Sequence, residues 1–406
     1  MSDFAPPDVD LVVIGGGPAG LAAACLMAEL DLKVICWSGP PRADLRTTAL
    51  MQGSMRLLNH LGAWHSDGLK KGCAPLQHLE VVDATGRIPR APTVSFDAAE
   101  LGSEPFGWNV PVTPLTETLS KLLAANKNAT LVTGSATGLT LASDRAVIES
   151  DETGAVEAKL VLAADGRNSI CRKAAGIALS KWAYPQMAVV TTFSHAKPHN
   201  NVSIEFHRKP GPLTTVPLPG NRSSLVWVET DEEATRLRDV SEARFCNELG
   251  FKLQDRLGKV SDITTRALFP IGGMAARKYA DNRVILIGES GHTIPPIGAQ
   301  GLNISLRDGA LAAELVAAAA ASGRDIGARS IMQEYDMRRR KDIFPRQVAV
   351  DLLNRTLISG FLPFQGARSL GLAALQHIGP LRRQVMREGL TPTRDLPKVM
   401  QAGISN

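Results

Sequence analysis

Leu11-Val12-Val13-Ile14-Gly15-Gly16-Gly17-Pro18-Ala19-Gly20 is the stretch on which the reading of this chain turns. Four consecutive apolar residues make the pattern of a short buried strand, and the glycines stop it. Leu21 to Leu30 then carries apolar residues at helical spacing, and Val34 to Trp37 is a second strand that closes a βαβ unit. Gly15, Gly17 and Gly20 stand at the spacing that lets a backbone turn tightly, approach a pyrophosphate and open a helix whose N-terminus faces it. Pro18 and Ala19 complete the candidate turn. Glycine turns after strands also serve plain packing, so this pattern needs company from the rest of the chain.

That company comes from two further units of the same kind. Leu160 to Ala164 runs into Asp165-Gly166, and Arg283 to Ile287 runs into Gly288-Glu289. Three strand-turn-helix units predict one nucleotide-binding domain interrupted by insertions. Between them, strand-like runs at Leu79 to Val82, Ala188 to Phe193, Val202 to Phe206 and Ser223 to Val228 are separated by clusters such as Lys209-Pro210-Gly211-Pro212, the pattern of an antiparallel sheet. From Tyr335 onward the pattern is helical and basic. The expected architecture is therefore α/β. A Rossmann-like nucleotide domain (residues 1–75, 106–180 and 270–335) is interleaved with a substrate-binding sheet domain (76–105 and 181–269), and a basic helical segment (336–406) follows.

Bulk composition narrows the function classes. The 406 residues, 44% hydrophobic and 21% charged, fit a globular chain of two or three domains. Cys25, Cys36, Cys73, Cys171 and Cys246 are odd in number and widely spaced, which argues against a disulfide framework and a thiolate metal site and favours a reducing compartment. The start MSDFAPPDVD has no signal-peptide pattern, and the apolar run Gly309 to Ala321 is too short to span a bilayer, so a cytoplasmic location is expected. The net charge of +5 is uneven: residues 338–406 hold 12 Lys/Arg against 4 Asp/Glu, a balance of +8, which leaves −3 on the rest. Arg338-Arg339-Arg340-Lys341 and Arg382-Arg383 are expected on solvated helix faces, with anionic lipid or a partner as the alternative. His195-x-x-x-His199 has metal-like spacing but no cysteine or carboxylate partner, so no metal site is assigned.

The third unit carries most of the chemistry. Gly288-Glu289-Ser290-Gly291-His292 leads into Pro295-Pro296-Ile297-Gly298-Ala299-Gln300-Gly301-Leu302-Asn303 and then Leu306-Arg307-Asp308-Gly309. A carboxylate after a strand, Glu289, can hold ribityl or ribose hydroxyls. A Gly-rich turn opening a helix, here Pro296 and Gly298 to Asn303, can aim N–H groups and the helix dipole at an anionic reduced flavin ring. His292 is expected to pack or support rather than transfer protons.

These pieces, with Arg46-x-x-Ala49-Leu50, Leu61-Gly62-x-Trp64, Ala164-Asp165-Gly166-x-x-Ser169-x-x-Arg172, Trp182-x-Tyr184-x-Gln186, and Gly211-Pro212 with Pro217-Leu218, make the chain resemble, over nearly its whole length, the ubiquinone-biosynthesis hydroxylases of the polyprenyl-methoxyphenol hydroxylase type, within the FAD-dependent aromatic monooxygenases. The resemblance implies FAD on Gly15, Gly17, Pro18, Ala19, Gly20, Ser38, Arg46, Asp165, Gly166, Gly288, Glu289, Pro296, Gly298, Ala299, Gln300, Gly301, Leu302 and Asn303. It also implies that the Asp165-Gly166 turn serves both FAD and the passing nicotinamide, while Ser169 reads as a helix N-cap. Four departures stand out: Ser38 for the ribose acid, Val112 for a polar residue, Glu289 for Asp, and Gly298-Ala299 in swapped order.

The implied reaction is hydroxylation of a polyprenyl phenol with NADH or NADPH as transient reductant and O2 as oxidant, through a flavin C4a-hydroperoxide. The cofactor performs the difficult step, so no catalytic triad or catalytic side chain is assigned. No second GxGxxG unit appears in strand-helix context, so the nicotinamide has no domain of its own. Contact with the inner face of the membrane and with other ubiquinone-synthesis enzymes is expected; a nucleic-acid partner is not. The alternatives are a catabolic hydroxylase of a small phenol and, because of Ser38 and Val112, a flavin-poor structural subunit. A flavoprotein halogenase or prenyl reductase on the same fold is disfavoured by the absence of Trp-x-Trp-x-Ile-Pro.

Overall fold

The computed structural model describes residues 9–40, 44–86, 90–102, 104–358, 362–389 and 395–402. Its first layer grows from the opening stretch. The strand Val9–Ile14 lies between Val34–Ser38 and Gly154–Ala163, parallel to both, and Ala129–Thr133 and Val284–Leu286 extend the parallel order outward on either side. Strands buried on both faces need no polar alternation, which explains the unbroken apolar run Leu11 to Ile14. The helix Pro18–Ala28 is buried from Gly20 through Ala28, since it is enclosed by the sheet and by the helices Val112–Ala124 and Gly301–Ala321. A helix apolar all round is the one that such a position requires.

The strand before Asp165 is longer than the sequence indicates. It spans Gly154–Ala163 because its first half pairs antiparallel with Ala146–Ser150, which in turn pairs with Ala136–Leu141. Two of the three expected strand-turn-helix units depart from that plan. After Asp165 comes only the five-residue helix Ile170–Ala174. After Val284–Leu286 comes a 3-10 turn, Gly288–Ser290, and the helix starts at Gly301, because Pro295 and Pro296 interrupt the chain between them.

The second layer is a nine-stranded sheet. Its backbone is Leu179–His195, paired antiparallel with Ala267–Ala276 and with Arg222–Glu229; Leu213–Leu218, Val202–His207, His78–Asp83 and Val94–Asp97 follow in order. One face packs on the helices Asp231–Asp239 and Glu242–Lys252 around Phe193, Phe206, Trp227, Phe245 and Leu249. A small sheet of Thr47–Met51, Gly107–Pro111 and Ala74–Leu76 stands between the layers.

The helix Arg329–Ile358 runs without a break through the boundary expected at residue 335. Further on, Leu396 and Met400 bury themselves in the core of the first layer, and the Lys398 N–H donates to Glu314 at 2.9 Å. The tail is thus no separate unit: among the described residues, Leu396 and Met400 belong to the core of the nucleotide layer, while Leu372 and Met386 pack with Val94 and Phe96 of the second sheet. All five cysteines are free thiols; burial pushes Cys25, Cys36 and Cys73 up to about 12, which leaves them unreactive at neutral pH.

Candidate active site

Because Val284–Leu286, Gly154–Ala163, Val9–Ile14 and Val34–Ser38 are neighbours and parallel, their carboxyl ends open on one edge. That edge brings together the turns at Gly288, Asp165, Gly15 and Ser38, which are 273 residues apart at the extremes of sequence. Ligands in open α/β sheets bind at such an edge.

At Gly15, φ is +122° and a Cβ would lie 2.1 Å from the Ala164 carbonyl oxygen, so only glycine fits. A Cβ on Gly20 would lie 2.0 Å from the Gly15 carbonyl oxygen, which shows how tightly the helix start is drawn onto the turn. A Cβ on Gly17 would meet nothing within 4 Å: the space in front of this helix is open. Gly17 caps the helix without a side-chain hydrogen bond, Pro18 follows, and no acidic residue occupies the first turn. Free N–H groups and the positive helix end therefore face an open cradle suited to a pyrophosphate.

Asp165 closes the cradle from the next strand. Its Oδ2 accepts from the N–H groups of Ile170 (2.8 Å) and Cys171 (3.3 Å), while Oδ1 is buried with no hydrogen-bond partner. An orphaned carboxylate oxygen beside an open phosphate cradle fits a ligand hydroxyl. Ser169 accepts from the Arg172 N–H at 2.9 Å and caps the following helix. Ser38 packs against Gly16, where a Cβ would come within 1.9 Å of the serine Oγ, and its hydroxyl donates to the Gly39 carbonyl at 3.2 Å. Gly166 adopts φ +76°.

Glu289 and Arg46 lie close enough for the carboxylate to stabilise the guanidinium. Arg167, which the sequence reading left unmarked inside Asp165-Gly166-Arg167, pairs with Glu289 at 3.2 Å; both side chains are half exposed, so the pair is weak and exchangeable for a ligand. Arg46 is held by Asp44 at 2.6 Å and lies over the Phe269 ring at 5.3 Å; Glu289 adds to the charges that stabilise its cation. Val112, at the start of its helix, donates its N–H to the Arg46 carbonyl at 3.0 Å.

The turn before the helix Gly301–Ala321 is left-handed at two successive residues, Gly298 (φ +69°) and Ala299 (φ +52°). Pro296, Gly298 and Gly301 are exposed and Leu302 is partly so. Asn303 differs from its expected role. Its amide is fully used inside the protein, accepting from Met51 N–H (2.8 Å) and Ser54 Oγ (2.7 Å) and donating to the carbonyls of Ala49 and Ala299 (both 2.7 Å). The side chain has no group left for a ligand, and it acts as the pin that fixes the turn.

Behind this turn lies an ion cluster that sequence reasoning missed. Asp308 Oδ2 accepts from the Gly288 N–H (2.8 Å) and meets His292 Nε2 at 2.7 Å, and Oδ1 lies 2.6 Å from Arg339. Asp342 joins Arg339 (2.8 Å), Arg307 (2.7 Å) and Arg346 (2.9 Å), and Arg346 donates to Gln300 Oε1 at 3.2 Å. Burial pushes both carboxyls up, but Arg339 first, with His292 beside Asp308 and Arg307 and Arg346 beside Asp342, overcomes it and holds both below the usual carboxylate range. Arg339, expected on a solvated face, is 2% exposed because a charge opposite Asp308 is the only tolerable neighbour for that buried carboxylate. Arg382, from the other basic pair, is held by Glu100 at 3.0 Å. His195 and His199 both spend their ring nitrogens on hydrogen bonds, to Lys197, Ser223, Leu218 and Asn201.

Fold and site together define a dinucleotide-binding flavoprotein of the two-layer hydroxylase type. The FAD binding domain model matches residues 8–348. Among relatives, the ubiquinone hydroxylase UbiL of Rhodospirillum rubrum is 33% identical, covering 94% of this chain and 89% of its own. The 3-demethoxyubiquinol 3-hydroxylase of Escherichia coli is 30% identical, over 94% and 98%. The p-nitrophenol 4-monooxygenase PnpA from Pseudomonas putida DLL-E4 shares the fold with a TM-score of 0.75 at 19% identity, covering 94% of this chain and 98% of that one. The chain belongs to the FAD-binding hydroxylase family and is an FAD-dependent aromatic-ring monooxygenase.

Proposed function

We propose that this enzyme hydroxylates the aromatic ring of a polyprenyl phenol in ubiquinone biosynthesis, taking electrons from NADH or NADPH. The overall balance is one phenol ring C–H, one O2, one NAD(P)H and one proton giving one ring C–OH, one water and NAD(P)+. Bound FAD supplies the redox chemistry, accepting hydride and activating O2. The protein's part is to bind, orient and exclude water. Gly15, Gly17, Pro18, Ala19 and Gly20 hold the pyrophosphate; Asp165, Gly166, Ser38, Arg46, Gly288 and Glu289 take the sugar and ribityl hydroxyls and phosphate; backbone N–H groups from Gly298 to Leu302 face the flavin ring, with Pro296, Gln300 and Asn303 fixing the turn.

The observation that carries the substrate reading is an apolar cluster that begins at the flavin turn. Ala299 packs against a cluster that includes Met51, Phe96, Leu372 and Met386, with Val216 also against it, and this cluster joins the small sheet, the substrate sheet and the C-terminal helices. A prenylated ring gains more from such a wall than a small polar phenol does, at about 0.8 kcal/mol per buried CH2. We further propose work at the cytoplasmic face of the membrane, beside other ubiquinone-synthesis enzymes; no described helix is long and apolar enough to cross a bilayer.

Competition between a prenylphenol and p-nitrophenol or p-hydroxybenzoate tests the reading. Substrate-stimulated NAD(P)H oxidation with a hydroxylated prenyl product, and kcat/KM rising with prenyl length, is expected. Faster turnover of the small phenol would assign a catabolic role, and protein that never takes up FAD would leave a structural subunit.

A further inference from the structure

The strand Val202–His207 alternates between two environments. Ile204 and Phe206 belong to the core between the second sheet and its helices, and Val202 packs against it. Ser203, Glu205 and His207 face the other way. Register fixes what surrounds them: Glu205 lies between Val81 on one neighbouring strand and Thr214 on the other. Val81 and Val216 of this same face pack against the apolar cluster that Ala299 of the flavin turn also joins. The Glu205 carboxylate thus stands on the sheet face turned toward the cofactor turn, among apolar and hydroxyl side chains.

A carboxylate in such a place is costly unless it is paired. His207 answers it in part: Nε2 meets Glu205 Oε1 at 2.8 Å, and because an ionised carboxylate only accepts, Nε2 carries the proton. Nδ1 of the same ring is buried with no hydrogen-bond partner. A pair kept for stability alone would use both ring nitrogens, as His195 does with Lys197 and Ser223. Glu205 Oε2 meets Thr214 Oγ1 at 3.5 Å, the limit of a hydrogen bond, and keeps lone pairs for an incoming donor. No cation other than His207 pairs with Glu205 among the described residues. Asp83, in register with His207 on the next strand, spends its carboxylate on Thr85 and the Ala91 N–H. Arg208 turns to the opposite face, over the Trp227 ring, and pairs with Glu229 at 2.8 Å. The His207 side chain is 5% exposed and that of Glu205 17%, so the histidine is the inner partner and the carboxylate is the group within reach of a ligand.

We propose that Glu205 accepts the proton of the substrate's phenolic hydroxyl and that His207 positions it, a role that rests on the proposed phenol substrate. The phenol O–H bond breaks and an O–H bond forms on Glu205 Oε2. The electron pair left on the phenolic oxygen raises electron density at the ring carbons ortho and para to it, where an electrophilic oxygen attacks. Once the new C–O bond has formed, the hydrogen on that carbon leaves as a proton and Glu205 returns its own to the phenolate, so the carboxylate ends ionised as it began. His207 acts through Glu205: its Nε2–H holds Oε1 and leaves Oε2 to the phenol.

The test has two arms, both on the FAD-loaded full chain with a short-chain prenylphenol. In turnover, E205Q is expected to lower kcat for ring hydroxylation by about a hundredfold while KM moves by less than about threefold. A ring-fluorinated prenylphenol gives up its proton more readily and narrows the ratio of wild type to E205Q by at least about tenfold. H207L removes the Nε2–H and lowers kcat by about tenfold, whereas H207Q supplies an amide N–H in its place and stays within about threefold of wild type. In binding, followed by the flavin spectrum, wild type prefers the prenylphenol over its methyl ether by at least about tenfold, and E205L shows no preference. Wild-type kcat in E205Q, a loss of equal size for both phenols, equal rates in H207L and H207Q, a wild type without preference, or a preference that survives E205L overturns the proposal. FAD content and melting temperature are read for every variant, and should a Glu205 variant fail to fold, the comparison of H207L with H207Q decides. A wild type that yields no hydroxylated product strikes the hydroxylase reading, while the binding arm still decides the role of Glu205.

Discussion

Gly15 is the residue on which the cofactor cradle depends most directly. Its φ of +122° and the 2.1 Å approach of the Ala164 carbonyl to a Cβ leave no room for any side chain. Gly15→Ala is expected to lower FAD affinity by at least about tenfold through strain and displacement of the turn, measured by flavin fluorescence on the folded fraction. Ala299 is the opposite case, a side chain where glycine fits better. At φ +52° it bears a cost of about 1 kcal/mol, so Ala299→Gly raises the melting temperature while Ala299→Val lowers it. Ser38 stands at the strand end where an acid normally binds ribose, and Ser38→Glu is expected to tighten FAD by roughly tenfold, the worth of a charge-assisted hydrogen bond, as read by titration of the apoprotein.

At the scale of elements, the helix Arg329–Ile358 acts as a strut behind the flavin turn. The cluster of Asp308, Asp342, Arg307, Arg339 and Arg346 holds one more positive than negative charge, counted over those five side chains. An excess cation behind the turn favours the anionic reduced flavin. Arg346→Met removes it and is expected to make the flavin potential more negative by about 20 mV, equivalent to roughly 1 kcal/mol over two electrons, with FAD content retained. Folded-state carboxyl values held below their unfolded ones add stability that is complete above the ordinary carboxylate range and is lost as pH falls through the folded values. Thermal melts of wild type should therefore fall as pH drops below about 4, and Asp342→Asn should flatten that part of the profile. None of this was readable in the sequence. Arg338 to Lys341 carries four cations in a row, and only the helix phase, set by Tyr335 and Ile343 facing inward, turns Arg339 toward Asp308 and leaves Lys341 in solvent.

At the scale of the whole molecule, the turns were legible and their assembly was not. Gly15, Asp165 and Gly288 announce themselves because tight turns after apolar strands demand particular residues. Their meeting on one sheet edge depends on the parallel order of strands drawn from residues 9 to 286, which local pattern does not encode. Asn303 reads as a ligand contact in sequence and proves to be an internal pin, since its partners at Ala49 and Met51 come from more than 250 residues away. Arg167 was hidden in a variable position of a recognised motif. The apolar cluster that links Ala299 to Leu372 likewise belongs to this scale, because it is built by three parts of the chain. The central claim is that these parts form one monooxygenase, and its most direct test is the mass of the product formed from a short-chain prenylphenol by FAD-loaded enzyme with NAD(P)H under isotopically labelled O2. A single labelled oxygen in the ring hydroxyl is the expected result; a product labelled from water instead, or NAD(P)H consumed with no hydroxylated product, would contradict it.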